Sequence, residues 1–222
     1  MSNVAIMLGD WVENIGTRAR GCPLDFVFDN LCRAAREVCA ETSVWKEEIR
    51  VPVAAGVGSV LIDSSVLPGG TSLPTAVHTL LSASVDGRRL RVALQDIADW
   101  MRPDSTRPGS GDIQVVAMRD ADALDVYPAP DKNTTVVLHV SCTPVVSRDA
   151  WLPEHVATTA RDAIEHATLA RLFDVAETPW ASPELAGYHA RQAVLAKAKL
   201  RVRDKTGAVA GSVMTRMQPF GA

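Results

Sequence analysis

The segment ETPWASP, residues 177–183, joins two helical patterns that together extend from Trp151 to Lys205. Pro153 suits the first turn of the first pattern, because a helix leaves the amide hydrogens of that turn unpaired and proline has none. The second pattern starts with Ser182 as a candidate N-cap, Pro183 at the first helical position and Glu184 where a carboxylate suits the helix dipole. The predicted inner faces contain Val156, Ala160, Ala163, Ala167 and Ala170, widened by Ile164, Leu169, Leu172 and Phe173, and then Ala186, Ala190, Ala193 and Val194. These residues predict an antiparallel helical hairpin, with Trp180 held against one end of it.

A third helical pattern begins after Cys22-Pro23 and ends near Thr42-Ser43, ahead of Trp45. Its apolar residues recur three and four positions apart, while most of its charged residues fall on other faces. The apolar positions are Leu24, Val27, Phe28, Leu31, Ala35 and Val38. The pattern predicts an amphipathic helix preceded by an N-terminal arm.

Between Trp45 and Arg148 the period changes from helical to alternating, as in strands with one buried face. Asp86-Gly87 predicts a tight hairpin between strands at 75–85 and 88–92, because this dipeptide readily adopts the positive φ angles of the turn. The other predicted elements are strands at 49–53, 59–62, 113–118, 124–126 and 135–143, one or two helical turns at 94–101 and a mobile loop at 103–111.

The predicted fold is α+β: a helical bundle, made of the N-terminal helix and the C-terminal hairpin, with an inserted antiparallel β domain and an extended C-terminal tail. The predicted boundaries are 1–44 for the arm and first bundle helix, 45–148 for the β domain, 149–205 for the hairpin and 206–222 for a docking tail.

The composition is that of an ordinary globular protein, with 222 residues, 47% hydrophobic, 22% charged and a formal net charge of −3. This charge balance does not indicate that the chain as a whole binds nucleic acid. The first ten residues contain a short apolar run with no basic segment before it, and no run approaches the roughly 18 apolar residues of a membrane span. We therefore expect neither export by a signal peptide nor a membrane anchor.

We also expect no metal and no cofactor. The cysteines form no Cys-x-x-Cys pair and are interpreted as reduced, partly buried thiols of a protein made in a cytoplasm. They are Cys22, Cys32, Cys39 and Cys142. The histidines are scattered, without the spacing of a helical metal site. They are His78, His139, His155, His166 and His189.

The sequence contains no convincing catalytic constellation. The stretch from Gly56 to Ser59 lacks the third glycine and the following helix of a phosphate-binding loop. Glu154-His155 and Glu165-His166 would lie about three turns apart on one helix, too far to share a substrate atom. A Gly-x-Ser-x-Gly nucleophile elbow is missing as well. We predict that the protein is not an enzyme.

The hairpin resembles the C-terminal hairpin of the head-to-tail connector, or adaptor, proteins of tailed bacteriophages. In that family a Pro-Trp pair, a small or polar residue and a second Pro precede a long helix with an early Tyr, as do Pro179-Trp180, Ser182-Pro183 and Tyr188. The first helix, with Ala34-Ala35 before Trp45, and the Leu-x-Val-x-Pro-x-Pro-Asp pattern that starts the segment from Leu124 to Pro144 are similar too. The resemblance covers about residues 20 to 200.

This resemblance implies a structural virion protein at the head–tail junction, made in the host cytoplasm. The implied partners are the portal protein, tail or nozzle proteins, other copies of the chain in a ring of twelve, and viral DNA through non-specific contact in the exit channel, with no membrane. A closed ring requires two different complementary faces on each subunit. The alternatives are a neck or tail-completion protein further down the tail and, from another class, a cytoplasmic hydrolase or binding protein with a pocket in the β insertion.

Two C-terminal features carry the predicted contacts. The first is a basic cluster, either a solvated helix end that suits the dipole or a surface that faces the DNA phosphates: Lys197, Lys199, Arg201, Arg203 and Lys205. The second is the segment 206–222, which combines glycines with apolar side chains and is predicted to order by docking on the portal. Its docking candidates are Val209, Val213, Met214, Met217 and Phe220. Pro179, Trp180 and Pro183 are assigned to the structural turn.

Overall fold

The computed structural model describes residues 4–68, 74–93 and 111–206, with side chains described as far as Val202. Four α-helices occur in these residues, together with short 3₁₀ turns at Leu8–Trp11 and Ser64–Val66. The helices are α1 (Val12–Arg18), α2 (Leu24–Thr42), α3 (Glu154–Phe173) and α4 (Pro183–Thr206). The α+β class predicted from the sequence is confirmed.

Nine strands make up the β structure of the described residues. They are β1 (Ala5–Met7), β2 (Lys46–Val53), β3 (Ser59–Leu61), β4 (Thr75–Val85), β5 (Arg88–Val92), β6 (Val115–Asp120), β7 (Ala123–Tyr127), β8 (Thr134–Pro144) and β9 (Trp151–Pro153). Seven of them form a curled sheet in the order β2-β8-β4-β5-β6-β7-β3, and β1 pairs with β9 in a separate two-stranded sheet.

The seven-stranded sheet is mixed, so the prediction of an antiparallel β domain is correct for five of the six strand pairings among the described residues and wrong for one. Strands β5 and β6 run parallel, with Arg91 opposite Val115 and Val92 opposite Val116. A parallel pair needs a crossover connection of about a dozen residues or more. Residues 93–114 supply that length between the two strands.

The predicted Asp86-Gly87 hairpin is confirmed. Both residues have positive φ, 49° and 79°, as a tight turn between antiparallel strands requires. Val85 lies opposite Arg88, and Ala83 lies opposite Leu90. The turn therefore fixes the register of β4 and β5.

Strand β8 occupies the position that joins the sheet to the helices. It pairs with both β2 and β4, and α2 packs against it. Its fully buried apolar side chains are Val136, Leu138, Val140 and Cys142. These residues belong to one hydrophobic core that also includes the inner faces of α2 and α3.

The N-terminal arm contains structure that the sequence did not predict. Ala5 and Met7 lie opposite Pro153 and Trp151 in the two-stranded sheet. Leu8 and Ile15, on the 3₁₀ turn and α1, are fully buried. The arm is therefore part of the packed molecule and abuts the start of α3.

The predicted inner face of α3 is confirmed except at Ala170, which is only partly buried. Pro153 ends β9 and serves as the N-cap, so the helix starts one residue later, at Glu154. The predicted inner face of α4 is half wrong, because Ala186 and Ala193 are buried whereas Ala190 and Val194 are exposed. The apolar stripe of α2 is confirmed except at Leu24, which is 52% exposed at the helix end, and at Phe28, which is only partly buried.

Three predicted segments lie outside the described residues: the helical turns at 94–101, the loop at 103–111 apart from Gly111, and the tail apart from Thr206. Within the described helices, none is long and apolar enough to cross a membrane.

Candidate interaction surfaces of the helices

An ion-pair network connects α2 to α3 and α4. The Lys197 ammonium lies 2.5 Å from one Glu37 carboxylate oxygen and 3.2 Å from a Glu41 oxygen. The Arg171 guanidinium also donates to Glu37. Arg201 donates to the Glu41 carbonyl at 3.1 Å and to its carboxylate at 3.0 Å. This network, called the α2–α4 clasp below, consists of Glu37, Glu41, Arg171, Lys197 and Arg201.

The clasp also gives the relative direction of α2 and α4. Lys197 with Glu37, and Arg201 with Glu41, are both separated by 160 residues. Equal separations one turn apart mean that α2 and α4 lie side by side and point in the same direction. Lys197 is only 9% exposed, so its charge is paired with carboxylates of the same chain and is not presented to solvent.

The clasp shifts the titration of Glu37. Burial acts to raise the pKa of its carboxyl, but hydrogen bonds from Lys197 and Arg171 and the positive charges of both residues lower that pKa below its ordinary value. Glu37 is therefore ionised at neutral pH when its bonds to Lys197 and Arg171 are formed.

The three predicted DNA-facing cations whose side chains the structure describes do not share one surface. Lys197 and Arg201 point to α2, whereas Lys199 is exposed and makes no ion pair with the described residues. The side chains of Arg203 and Lys205 lie outside the described residues. DNA contact stays a prediction. Sequence reasoning missed the partners Glu37 and Glu41, although an acidic i, i+4 pair on α2 was visible as a possible complement.

The turn at 177–183 has the predicted chemistry. Pro183 is the first residue of α4, and the Ser182 hydroxyl accepts a long 3.4 Å bond from the Leu185 amide. Trp180 is partly buried and packs on Phe26, with ring centroids 6.4 Å apart. Its indole N–H is buried without an acceptor among the described residues. The turn therefore fastens the end of the hairpin to the start of α2.

Two histidines predicted to be scattered meet between α3 and α4. The Nδ1 atoms of His166 and His189 are 2.8 Å apart, and Phe173 stacks on His189 at 5.7 Å. Burial, then the charges of His166 and Arg18, lower the pKa of His189. The pair could have been found from the sequence, because residues nearly equidistant from the turn face each other in an antiparallel hairpin.

The described residues contain no group of three or more His, Cys, Asp or Glu side chains placed to hold a metal. All four cysteines are free and buried, and burial raises the pKa of Cys39 and Cys142 to about 12. A surface cleft of about 480 Å³ at the tip of the sheet is lined in part by Asp86, Arg88 and Lys132, and its described lining residues include no histidine, cysteine or serine.

The solvent-exposed side of α4 is apolar and cationic, and it borders α3 where the Tyr188 ring meets His166 edge-on, with centroids 6.5 Å apart. Leu185, Tyr188 and Leu195 are 43%, 46% and 56% exposed, and the neighbouring Arg191 and Lys199 are exposed too. We call these five residues the α4 outer face. Tyr188 and Leu195 are seven residues apart, which places them in nearly the same direction on the helix.

The family of the chain follows from a comparison with known protein families. The family model described as SU10 adaptor protein matches residues 8–216, nearly the whole chain. The chain belongs to the SU10 adaptor protein family. The match covers all four helices and the whole seven-stranded sheet, and it confirms the resemblance to phage head–tail adaptors. No curated protein matches the chain.

As a member of the SU10 adaptor family, the chain is a structural adaptor of a bacteriophage. The family places it among virion components and implies interaction with portal and tail proteins.

Proposed function

We propose that the chain assembles as a ring beneath the portal, connects head to tail and surrounds the DNA exit channel. The family match over residues 8–216 carries this proposal. The resemblance of the hairpin to phage adaptors implies twelve subunits on a twelve-subunit portal. The proposal includes the absence of catalysis and of a bound metal or cofactor.

The direct test is assembly on particles. Purified protein is mixed with DNA-filled heads that carry a portal but no adaptor, and the particles are then sedimented and imaged by electron microscopy. We expect co-sedimentation and a new ring of density below the portal. Wild-type protein that stays in the supernatant, or that binds at a site further down the tail, would overturn the proposal. Stoichiometric Zn or Fe in the purified protein would overturn the part concerning metals.

We further propose that residues 206–222 dock on the portal through Val209, Val213, Met214, Met217 and Phe220. The support is their composition and the end of α4 at Thr206. Deletion of 207–222 removes no residue of a described helix or strand, so the melting temperature is expected to stay unchanged while co-sedimentation with portal rings is lost. Binding of the truncated chain at wild-type affinity would contradict this docking role.

Contact with DNA is proposed for the basic end of α4, including Lys199, Arg203 and Lys205. The clasp changes how this is tested, because Lys197 and Arg201 also hold α2. Replacing Lys199, Arg203 and Lys205 with Gln is expected to lower DNA retention or ejection without loss of stability. The matched control replaces the exposed cations Arg89 and Arg91 of β5. Normal ejection by the α4 variant would leave these residues as a solvated helix end.

A further inference from the structure

We infer that the α4 outer face binds a second copy of this chain and that its counterpart is an acidic patch at the hairpin end of the molecule. The inference rests on the proposed ring, because it assigns the two faces that such a ring requires. Its starting point is the exposure of Leu185, Tyr188 and Leu195 on a long helix.

The α4 outer face has the composition of an interface. Exposed single apolar residues are ordinary, but three large ones along about 15 Å of one helix form an apolar patch, with Tyr188 and Leu195 in nearly the same direction and Leu185 at its edge. Tyr188 is a suitable anchor, since aromatic residues are enriched at the centre of protein interfaces.

The charge of this face is one-sided. Arg191 and Lys199 flank the apolar patch, and the sequence contains no acid between Glu184 and Asp204. Neither cation has an ion-pair partner among the described residues. A complementary surface must therefore supply carboxylates together with exposed apolar side chains.

The chain carries such a surface itself. Residues 24–29 and 174–180 contain four acids and neither Lys nor Arg, and the contact of Phe26 with Trp180 joins the two segments. We call them the acidic patch. Its exposed acids are Asp25, Asp29, Asp174 and Glu177, and its exposed apolar residues are Leu24 and Phe26, at 52% and 37%.

The geometry favours contact between different faces over contact between like faces. Two α4 outer faces brought together would oppose cation to cation, which costs free energy, whereas the outer face against the acidic patch pairs opposite charges. Contact between two different faces is the kind that closes into a ring or continues as a filament. A second copy is therefore the occupant that satisfies both the apolar and the charged parts.

The test measures self-association of the full chain by sedimentation, free in solution at increasing concentration and on portal-bearing heads. Leu195→Asp and the double change Arg191→Glu/Lys199→Glu are each expected to weaken association at least about tenfold, which corresponds to about 1.4 kcal/mol. Asp25→Lys/Asp29→Lys is expected to do the same. Combining the two charge reversals is expected to restore association. The matched control is Leu61→Asp, a change at a 74% exposed position of β3.

The outcomes separate this inference from the proposed function. All variants are expected to stay folded because every changed side chain is exposed, with a small loss of stability only for Asp25→Lys, since Asp25 lies in the first turn of α2. Association of Leu195→Asp at wild-type strength, equal weakening by Leu61→Asp, failure of the combined charge reversal to restore association, or a wild-type chain that never self-associates would overturn the interface. Wild-type protein that self-associates through α4 but does not join the heads would instead overturn the proposed function and leave the interface standing.

Discussion

Removing the Glu37 charge is the sharpest test of how the helices are held together. In Glu37→Gln the Lys197 ammonium loses its closest carboxylate, and Arg171 loses its partner on α2. A hydrogen bond to a charged group contributes about 1.5 to 3 kcal/mol. The Glu37 side chain is 35% exposed and Glu41 still reaches Lys197 at 3.2 Å, so solvent screening and the remaining bond reduce the cost. We expect the free energy of unfolding to fall by about 1 to 2 kcal/mol at pH 7.

The assay is urea unfolding followed by circular dichroism at several pH values. Because the pKa of Glu37 is lowered in the folded state, its stabilisation is complete above the ordinary carboxyl pKa of 4.5 and is lost as the pH falls through the folded value. The difference between wild type and Glu37→Gln must therefore shrink below about pH 4.5. Glu48→Gln is the matched control, since its ion pair with Arg50 is mostly exposed.

Two results would refute this account of the clasp. One is a cost for Glu37→Gln no larger than that for Glu48→Gln, which we expect to stay below about 0.5 kcal/mol. The other is a cost that does not change between pH 7 and about pH 3. A double-mutant cycle of Glu37→Gln with Lys197→Met isolates the pair, and contacting residues of this kind couple by about 0.5 to 3 kcal/mol.

Three further predictions concern the turn, the histidines and the sheet. Trp180→Ala is expected to lower the free energy of unfolding by about 1 to 3 kcal/mol in urea unfolding, less than for a fully buried Trp because the ring is only partly buried. Trp180→Phe keeps the contact with Phe26 and is expected to be nearly neutral, so equal costs for the two variants would contradict the contact. Since the pKa of His189 is lowered in the folded state, the free energy of unfolding is expected to fall as the pH drops below about 6.5. His189→Gln is expected to weaken this pH dependence in the same assay, and an unchanged slope in the variant would contradict the role of His189. Leu138→Ala, at the fully buried centre of β8, is expected to lower the free energy of unfolding by about 2 to 5 kcal/mol. The control is Leu81→Ala, at a partly exposed site on β4, and similar costs for the two variants would show that β8 is not the centre of the core.

Local patterns predicted the elements whose chemistry is local. Helix α3 was predictable because its apolar residues have one period and one face, and Pro183 and Asp86-Gly87 marked a helix start and a hairpin. The inner face of α4 was not predictable, because alanines occupy both buried and exposed positions of that helix and hydrophobicity cannot distinguish Ala193, which is buried, from Ala190, which is exposed.

Pairings between distant segments were beyond the sequence. The parallel contact of β5 with β6 and the pairing of β1 with β9 depend on how the whole chain closes, and no residue near either strand signals its partner. The clasp is of the same kind, since Glu37 and Lys197 become neighbours only when α2 and α4 lie side by side.

The basic cluster shows why a run of cations in sequence does not make a cationic surface on a helix. Its members alternate with other residues at a period of two, and successive members of such a series point in directions about 200° apart on an α-helix. Lys197 and Arg201 accordingly face α2, while Lys199 faces the other way and lies on the α4 outer face. The DNA proposal therefore places Lys199 at the channel, whereas the inferred subunit interface places it between two copies of the chain. If Lys199 borders the channel, Lys199→Glu alters ejection and leaves self-association unchanged. If it lies between subunits, the same change weakens self-association, and the further reversal of Asp25 and Asp29 restores it.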